Sequence, residues 1–386
     1  MLSLPPLALY IHIPWCVRKC PYCDFNSHSA RQELPVQAYV AALMADLEQD
    51  LPLVWGRAVS SIFFGGGTPS LFSGSAIDQI LRGVAARLTL RPALEVTLEA
   101  NPGTAEFDHF SSYLDAGVNR LSLGVQSFDD GCLTRLGRIH DATQAERAFE
   151  SARKAGFDNI NLDLMYALPE QTCAMALSDV RRAISLAPEH ISHYQMTLEP
   201  NTVFYARPPE HVPDEDAAWD MQELCQVALD EAGYHQYEVS AYARTGRQCA
   251  HNLNYWRFGD YLGIGAGAHG KLTLPAEQTI LRRWKVKQPQ SYLSSAATDQ
   301  RIGGDEWIAP DSRPFEFMLN ALRLNEGADL ASFEARTGLC RDALQSAFSK
   351  AVARGWLDVT EDRFRASPLG QRFLNDLIEL FLPAQA

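Results

Sequence analysis

Six short apolar, β-branched runs, at 7–14, 61–65, 95–101, 120–127, 159–168 and 190–200, alternate with longer stretches of helical periodicity in the first half of this chain. Residues 35–51 place Val36, Tyr39, Val40, Leu43 and Leu47 at three-to-four spacing, with proline in the first turn. Residues 141–155 open at a plausible N-cap, Asp141, and stop before Gly156, and 104–116 and 174–186 read the same way. Nearly continuous apolar strands separated by helices predict a parallel sheet covered on both faces. The residues able to do chemistry sit at the strand ends. A cysteine loop follows the first strand and Gly-Gly-Gly-Thr-Pro (65–69) the second. Glu99 closes the third, Gln126 the fourth, and Asp163 lies within the fifth. Sites at the carboxyl ends of parallel strands are the rule for α/β barrels and open sheets alike. The expected fold class is α/β, a partial (β/α)6 barrel left open on one side.

Three of the eight cysteines, Cys16, Cys20 and Cys23, fall within eight residues as Cys-x3-Cys-x2-Cys. Clustered thiolates are soft ligands that select zinc, copper(I) or iron–sulfur clusters. A ferredoxin-type cluster takes four cysteines; three leave one position open, as a catalytic zinc site does for its substrate. The residues alone also allow a structural zinc site completed by His12 or His28, or three unrelated buried cysteines.

Composition narrows the setting. Cys132, Cys173, Cys225, Cys249 and Cys340 are scattered singly, the usage of free thiols in a reducing compartment. No apolar run approaches the ~18–20 residues of a membrane span, and residues 1–6 lack the basic start of a secretory signal. A cytoplasmic location is expected. A net charge of −13 argues against nucleic acid as the partner, since such binding rests on clustered Lys and Arg.

Several motifs carry a physical reading of their own. Three glycines at 65–67 let backbone approach a ligand or make a tight turn. Glu99 suits ribose hydroxyls, though an acid there also caps or salt-bridges. Arg138 can meet a carboxylate bidentately, while Gln126 and Asp163 sit where polar residues often anchor loops.

With an aromatic residue, Tyr22, before its last cysteine, the loop resembles the signature of the radical S-adenosylmethionine (SAM) superfamily. There the open iron of a 4Fe–4S cluster chelates the amino and carboxylate groups of SAM, and the reduced cluster splits it into methionine and a 5′-deoxyadenosyl radical. The resemblance implies cluster ligation by Cys16, Cys20 and Cys23, and SAM contacts from Tyr10, Gly66, Gly67, Thr68, Glu99, Gln126, Arg138 and Asp163. It also implies an electron donor for the cluster.

Nearly the whole chain resembles the oxygen-independent coproporphyrinogen III oxidase family and, more closely, its HemW branch of proposed heme chaperones. The resemblance includes Cys23-Asp24-Phe25-Asn26-Ser27, residues 161–172, His251-Asn252-Leu253-Asn254-Tyr255-Trp256 and Gly263-Ile264-Gly265-Ala266-Gly267-Ala268. Two departures separate the branches. The oxidase carries a further cysteine where this chain has Phe25, and a long extension before the position of Tyr10. Both argue against oxidative decarboxylation of coproporphyrinogen III, the alternative activity, and put a second bound SAM in doubt. The chaperone branch implies heme, handed to an acceptor such as a respiratory-chain, membrane-associated protein. His251 is the implied heme ligand, against a histidine that only ties its own loop, and Cys249 competes with it. A homodimer is compatible with the sequence but not required by it.

The expected domains are 1–200, the barrel with the cluster and SAM; 201–313, an extension closing the barrel, with linkers at 201–216 and 286–313; and 314–386. That tail reads as helices followed by a hairpin, a winged-helix-like lobe. Its acids, among them Glu316, Glu326, Asp329 and Glu334, favour packing or protein binding over DNA.

Overall fold

A computed structural model describes residues 1–30, 33–103 and 110–383. The six expected strands are present as β1 (Leu7–Ile13), β2 (Ala58–Gly66), β3 (Thr89–Ala100), β4 (Arg120–Gln126), β5 (Ile160–Tyr166) and β6 (His190–Gln195). They lie side by side in sequence order, all parallel. The crossovers are α1 (Val36–Val54), α2 (Gly74–Ala85), α3 (Phe110–Ala116), α4 (Asp130–Arg135) with α5 (Ala142–Ala155), and α6 (Cys173–Leu186). The first six residues of the expected 104–116 helix lie outside the described residues. Local chemistry explains the boundaries. Asp141 makes a capping box with Gln144 at the start of α5, and Gly156, in the left-handed region, ends it.

Alternate residues of the strands divide two environments. Leu9, Ile11, Ile62, Phe64, Leu98, Leu121, Leu123, Leu162 and Ile191 are buried against the helices in the main core. The opposite face carries Tyr10, Glu99, Asp163 and Tyr194, so the concave side of the sheet is polar. Such a concentration of polar side chains on an inner face is rare in a solvent-free core and usual in a ligand cavity.

The extension, 201–313, contains α7 (Glu215–Glu231), α8 (Ala250–Trp256) and six strands: β7 (His235–Glu238), β8 (Ala241–Ala243), β9 (Asp260–Ile264), β10 (His269–Leu274), β11 (Thr279–Lys285) and β12 (Ile302–Trp307). The sheet order is β12-β11-β10-β9-β1-β2-β3-β4-β5-β6-β8-β7, with β9 parallel to β1, so both edges of the barrel sheet are extended. The stretch 286–313 contains a helix, Pro289–Ser295, and all of β12. Its polar composition reads as a linker because β12 is an edge strand with mostly exposed side chains.

A buried charge network ties this extension to the barrel. Asp46 and Asp50 of α1, both fully buried, face Lys285, Arg301 and Arg283. Lys285 Nζ lies 2.5 Å from Asp46 Oδ1, Arg301 Nη2 lies 2.7 Å from Asp50 Oδ1, and the Tyr292 hydroxyl donates to Asp46 at 2.7 Å. Burial alone would push the Asp50 carboxyl up, but Lys285, Arg301 and Arg283 outweigh it and hold it below the usual carboxylate value.

The tail packs α9 (Arg313–Ala321), α10 (Leu330–Thr337) and α11 (Gln345–Ala353) beside a small three-stranded sheet. Leu357–Val359 and Arg363–Ala366 pair in the expected wing hairpin. Phe317, Phe333, Leu344, Phe364 and Leu377 form its own core, which also takes in Leu2 and Ile280. No described helix is long and apolar enough to cross a membrane.

Candidate cofactor site

The loop that follows β1 carries all three clustered cysteines to the carboxyl end of the sheet, where they line one cavity of about 750 Å³. Gly66, Gly67, Thr68, Glu99, Gln126, Arg138 and Asp163 line the same cavity. Residues scattered over 150 positions of sequence thus converge because each ends, or follows, a neighbouring parallel strand.

The turn after β2 needs its glycines for packing as well as for ligand approach. Gly66 has φ +113°, and a Cβ there would run into the His12 ring. A Cβ on Gly67 would lie 2.5 Å from the Trp15 carbonyl oxygen. Thr68 accepts from Asn101 Nδ2 at 2.9 Å. Arg138 Nη2 donates to Asn101 Oδ1 at 2.6 Å and to the Gly124 carbonyl at 2.7 Å, while Nη1 stands 3.5 Å from Cys20 Sγ. Gln126 adopts φ 70° at the end of β4 and accepts from the Tyr194 hydroxyl at 2.8 Å. Such a backbone state in a non-glycine residue is uncommon and clusters at functional sites.

Two carboxyls face the cavity floor. Asp163 accepts from Ser122 at 2.9 Å and from Asn161 at 2.8 Å, yet burial still raises its pKa. Burial, and then the charge of Asp163, push Glu99 up to about 8 against a backbone N–H from Gly66 at 3.2 Å. A carboxyl protonated near neutrality both donates and accepts, which suits vicinal hydroxyls. This shift has a stability consequence. The folded value, about 8, exceeds the ordinary 4.5, so the contribution of Glu99 is full below 4.5 and is lost as pH rises through 8. Glu99→Gln is therefore expected to melt progressively above the wild type, by a few degrees, as pH rises through that window, with the gain levelling off beyond it. Thermal melts of the ligand-free protein at graded pH check this; a constant offset at every pH would show that Glu99 is not buried as an acid.

Tyr10 lies elsewhere. It lines an adjoining cavity of about 760 Å³ that shares Gly66 and Glu99 with the first, and its hydroxyl pairs with His12 Nδ1 at 3.0 Å. His12 Nε2 in turn lies 2.8 Å from the Asn26 carbonyl, so His12 offers no ligand nitrogen to the thiols. His28 lines the adjoining cavity and not that of the thiols.

His251 is not brought to either cavity. Glu95 accepts from the backbone N–H groups of Ala250 and His251, both at 3.0 Å, and this anchors α8 with the imidazole turned into the sheet. The ring is 1% exposed, with Nδ1 3.0 Å from Ser61 Oγ and Nε2 2.8 Å from the Tyr255 hydroxyl. Neither nitrogen is free for an iron, which favours the loop-tying alternative. Cys249 is fully buried, its thiol pushed up to about 12 by burial, and so is a poor ligand. Its neighbours Tyr255 and Trp256 do line the adjoining cavity.

Sequence reading missed Asn101, which bridges Thr68 and Arg138, although it sits two residues after Glu99 in the same motif. It also missed Tyr194, and Arg323, which reaches the thiol cavity from the tail while pairing with Glu238 at 3.0 Å. Nothing local in the tail marks Arg323 as a cavity residue.

The three thiols fit an iron–sulfur cluster: all line one cavity, Arg138 stands beside Cys20, and among the described residues no fourth cysteine and no histidine lines that cavity. Comparison with known proteins agrees. Residues 10–181 match the Radical SAM superfamily and residues 308–373 the HemN C-terminal domain. The chain is 51% identical to the heme chaperone HemW of Escherichia coli (strain K12) over 99% of its own length and 100% of that protein's. It is 38% identical to the heme chaperone HemW of Bacillus subtilis (strain 168), covering 97% and 99%. Among solved structures, coproporphyrinogen III oxidase (HemN) from Escherichia coli superposes with a TM-score of 0.82 at 22% identity, covering 98% of this chain and 90% of that one, a likeness of fold. With both domains present and a half-identical relative matched from end to end, the chain belongs to the HemW family of the radical SAM superfamily.

Proposed function

We propose that this chain is a cytoplasmic heme chaperone that holds a 4Fe–4S cluster and SAM, binds heme and passes it to an acceptor protein. The observation that carries the reading is the end-to-end identity of 51% with a protein named heme chaperone HemW. Cys16, Cys20 and Cys23 would hold the cluster. Gly66, Gly67, Thr68, Glu99, Gln126, Arg138 and Asp163 would hold SAM, with Tyr10 supporting the turn from the adjoining cavity. Cluster and SAM together supply one-electron radical chemistry, and the protein contributes binding, orientation and exclusion of side reactions. Arg138, fixed by Asn101 and the Gly124 carbonyl, offsets thiolate charge at Cys20. Glu99, pushed up to about 8 by burial and then by the charge of Asp163, presents a protonated carboxyl to the cofactor's hydroxyls, with the Asp163 carboxyl beside it. The acceptor we take to be a membrane-associated respiratory-chain protein, and the cluster needs a separate electron donor. The domain limits 1–200, 201–313 and 314–386 remain our division of these roles, with a homodimer as a compatible assembly.

Porphyrinogen oxidation is disfavoured by Phe25, 58% exposed where the oxidase has a cysteine. One anaerobic experiment separates the readings. Reconstituted, reduced protein is given SAM with coproporphyrinogen III and, separately, heme followed by a heme-free acceptor. The expected result is saturable heme binding and transfer without protoporphyrinogen. Protoporphyrinogen formed over many turnovers would replace the chaperone reading with the oxidase.

A further inference from the structure

The adjoining cavity, about 760 Å³, falls in the ~300–1,000 Å³ range of small-molecule sites, and none of the three clustered cysteines lines it. Its walls are of two kinds. Tyr255, Trp256 and Tyr261 form an aromatic corner, with Tyr255 and Tyr261 edge-to-face at 4.5 Å and Tyr255 and Trp256 at 6.4 Å. Broad aromatic faces suit a flat, largely apolar ligand. Cations line the same cavity. Lys19 and Lys287 are both exposed, and neither pairs with a carboxylate among the described residues; the Lys19 ammonium donates only to the Phe25 carbonyl, at 3.0 Å. In a chain of net charge −13, two cations left unneutralised at one cavity point to an acidic ligand.

Four histidines lie in or beside this cavity, and their surroundings separate them. His12 and His251 spend both ring nitrogens on protein partners. His28 keeps Nε2 buried. His269, the first residue of β10, is exposed, and its ring only stacks on Trp284 at 6.1 Å, with no hydrogen bond among the described residues. Its ring nitrogens are therefore open to a ligand.

We propose that this cavity is the heme site, with His269 as the axial iron ligand, Tyr255, Trp256 and Tyr261 against the macrocycle, and Lys19 and Lys287 on its two propionates. The inference rests on the heme-chaperone reading above and deepens it by naming the site. Axial histidine is an ordinary iron ligand, and ammonium–carboxylate pairs supply charge-assisted hydrogen bonds. The site shares Asp24, Phe25, Ser27, Gly66 and Glu99 with the thiol cavity, so bound heme lies next to the cofactors.

Titration of the full-length protein with hemin, followed by Soret difference absorbance and electron paramagnetic resonance, tests the assignment. His269→Ala is expected to weaken binding roughly tenfold or more and to lose the nitrogen-ligand signature, with added imidazole restoring it. Lys19→Glu with Lys287→Glu should weaken binding to a similar degree while leaving that signature intact at saturation. His269 is exposed, so an unchanged melting temperature is expected and separates ligand loss from misfolding. Wild-type affinity and spectrum in His269→Ala, or loss of the signature in His251→Ala alone, would overturn the site while leaving a heme-binding protein. Failure of the wild type to bind hemin would instead overturn the chaperone reading, and the site with it.

Discussion

Cys20→Ala is expected to abolish the cluster: iron and acid-labile sulfide fall to background after anaerobic reconstitution, and the visible chromophore disappears. Three thiolates are the fewest that hold a four-iron core with one iron open, and the surroundings offer no substitute. His12 is tied on both ring nitrogens and His28 belongs to the neighbouring cavity. Cys16→Ala and Cys23→Ala should behave alike, whereas Cys340→Ala, at an exposed position remote in sequence from the loop, should change nothing. Reconstitution should also depend on pH. Burial pushes the Cys16 and Cys23 thiols up. Metal binding must release those protons, so yield should rise as the medium becomes more alkaline. Full cluster absorbance in Cys20→Ala would remove the assignment of this loop.

The second large effect is on stability and lies far from the thiols in sequence. Asp46→Ala is expected to destabilise the chain by about 3–5 kcal/mol, the cost of stranding buried charges. It leaves Lys285 without one of its two carboxylates and Arg301 with Asp50 as its remaining buried one. It also removes the acceptor for the Tyr292 hydroxyl and one of the two acceptors for the Gly265 N–H. Against a typical total of ~5–15 kcal/mol, that loss is enough to make much of the protein insoluble. Lys285→Met is expected to cost distinctly less, because two acids then still face Arg301 and Arg283. Denaturant titration of the two variants measures the difference. Equal losses would mean that the network acts as packing and not as a balance of charge.

Much of the barrel was legible in order along the chain, because its determinants are local. A run such as Leu7–Ile13, buried on both faces, has a composition only a covered parallel strand uses. Asp141 and Gly156 bound α5 through contacts within a few residues. The cysteine spacing likewise needs nothing outside its own loop. That the residues expected to meet SAM, Tyr10 excepted, line one cavity has a related reason: parallel strands in sequence order bring their ends and the loops after them together.

What the sequence could not carry was pairing at a distance. That 260–264 lies parallel to β1 depends on a strand near the start of the chain, and that 302–307 is an edge strand rather than part of a linker depends on its pairing with 281–285. The histidines show the same limit at the level of one side chain. His251 stands in a conspicuous motif and His269 in an unremarkable one. Yet Glu95, Ser61 and Tyr255 consume the first, while the fold leaves the second open beside two cations. The chain by itself determined which elements form and which chemistry its clustered thiols support, since both follow from residue type and short spacing. Only the tertiary structure decided which polar groups are satisfied by the protein and which remain free to meet a ligand, because burial and hydrogen bonding are properties of the assembled neighbours.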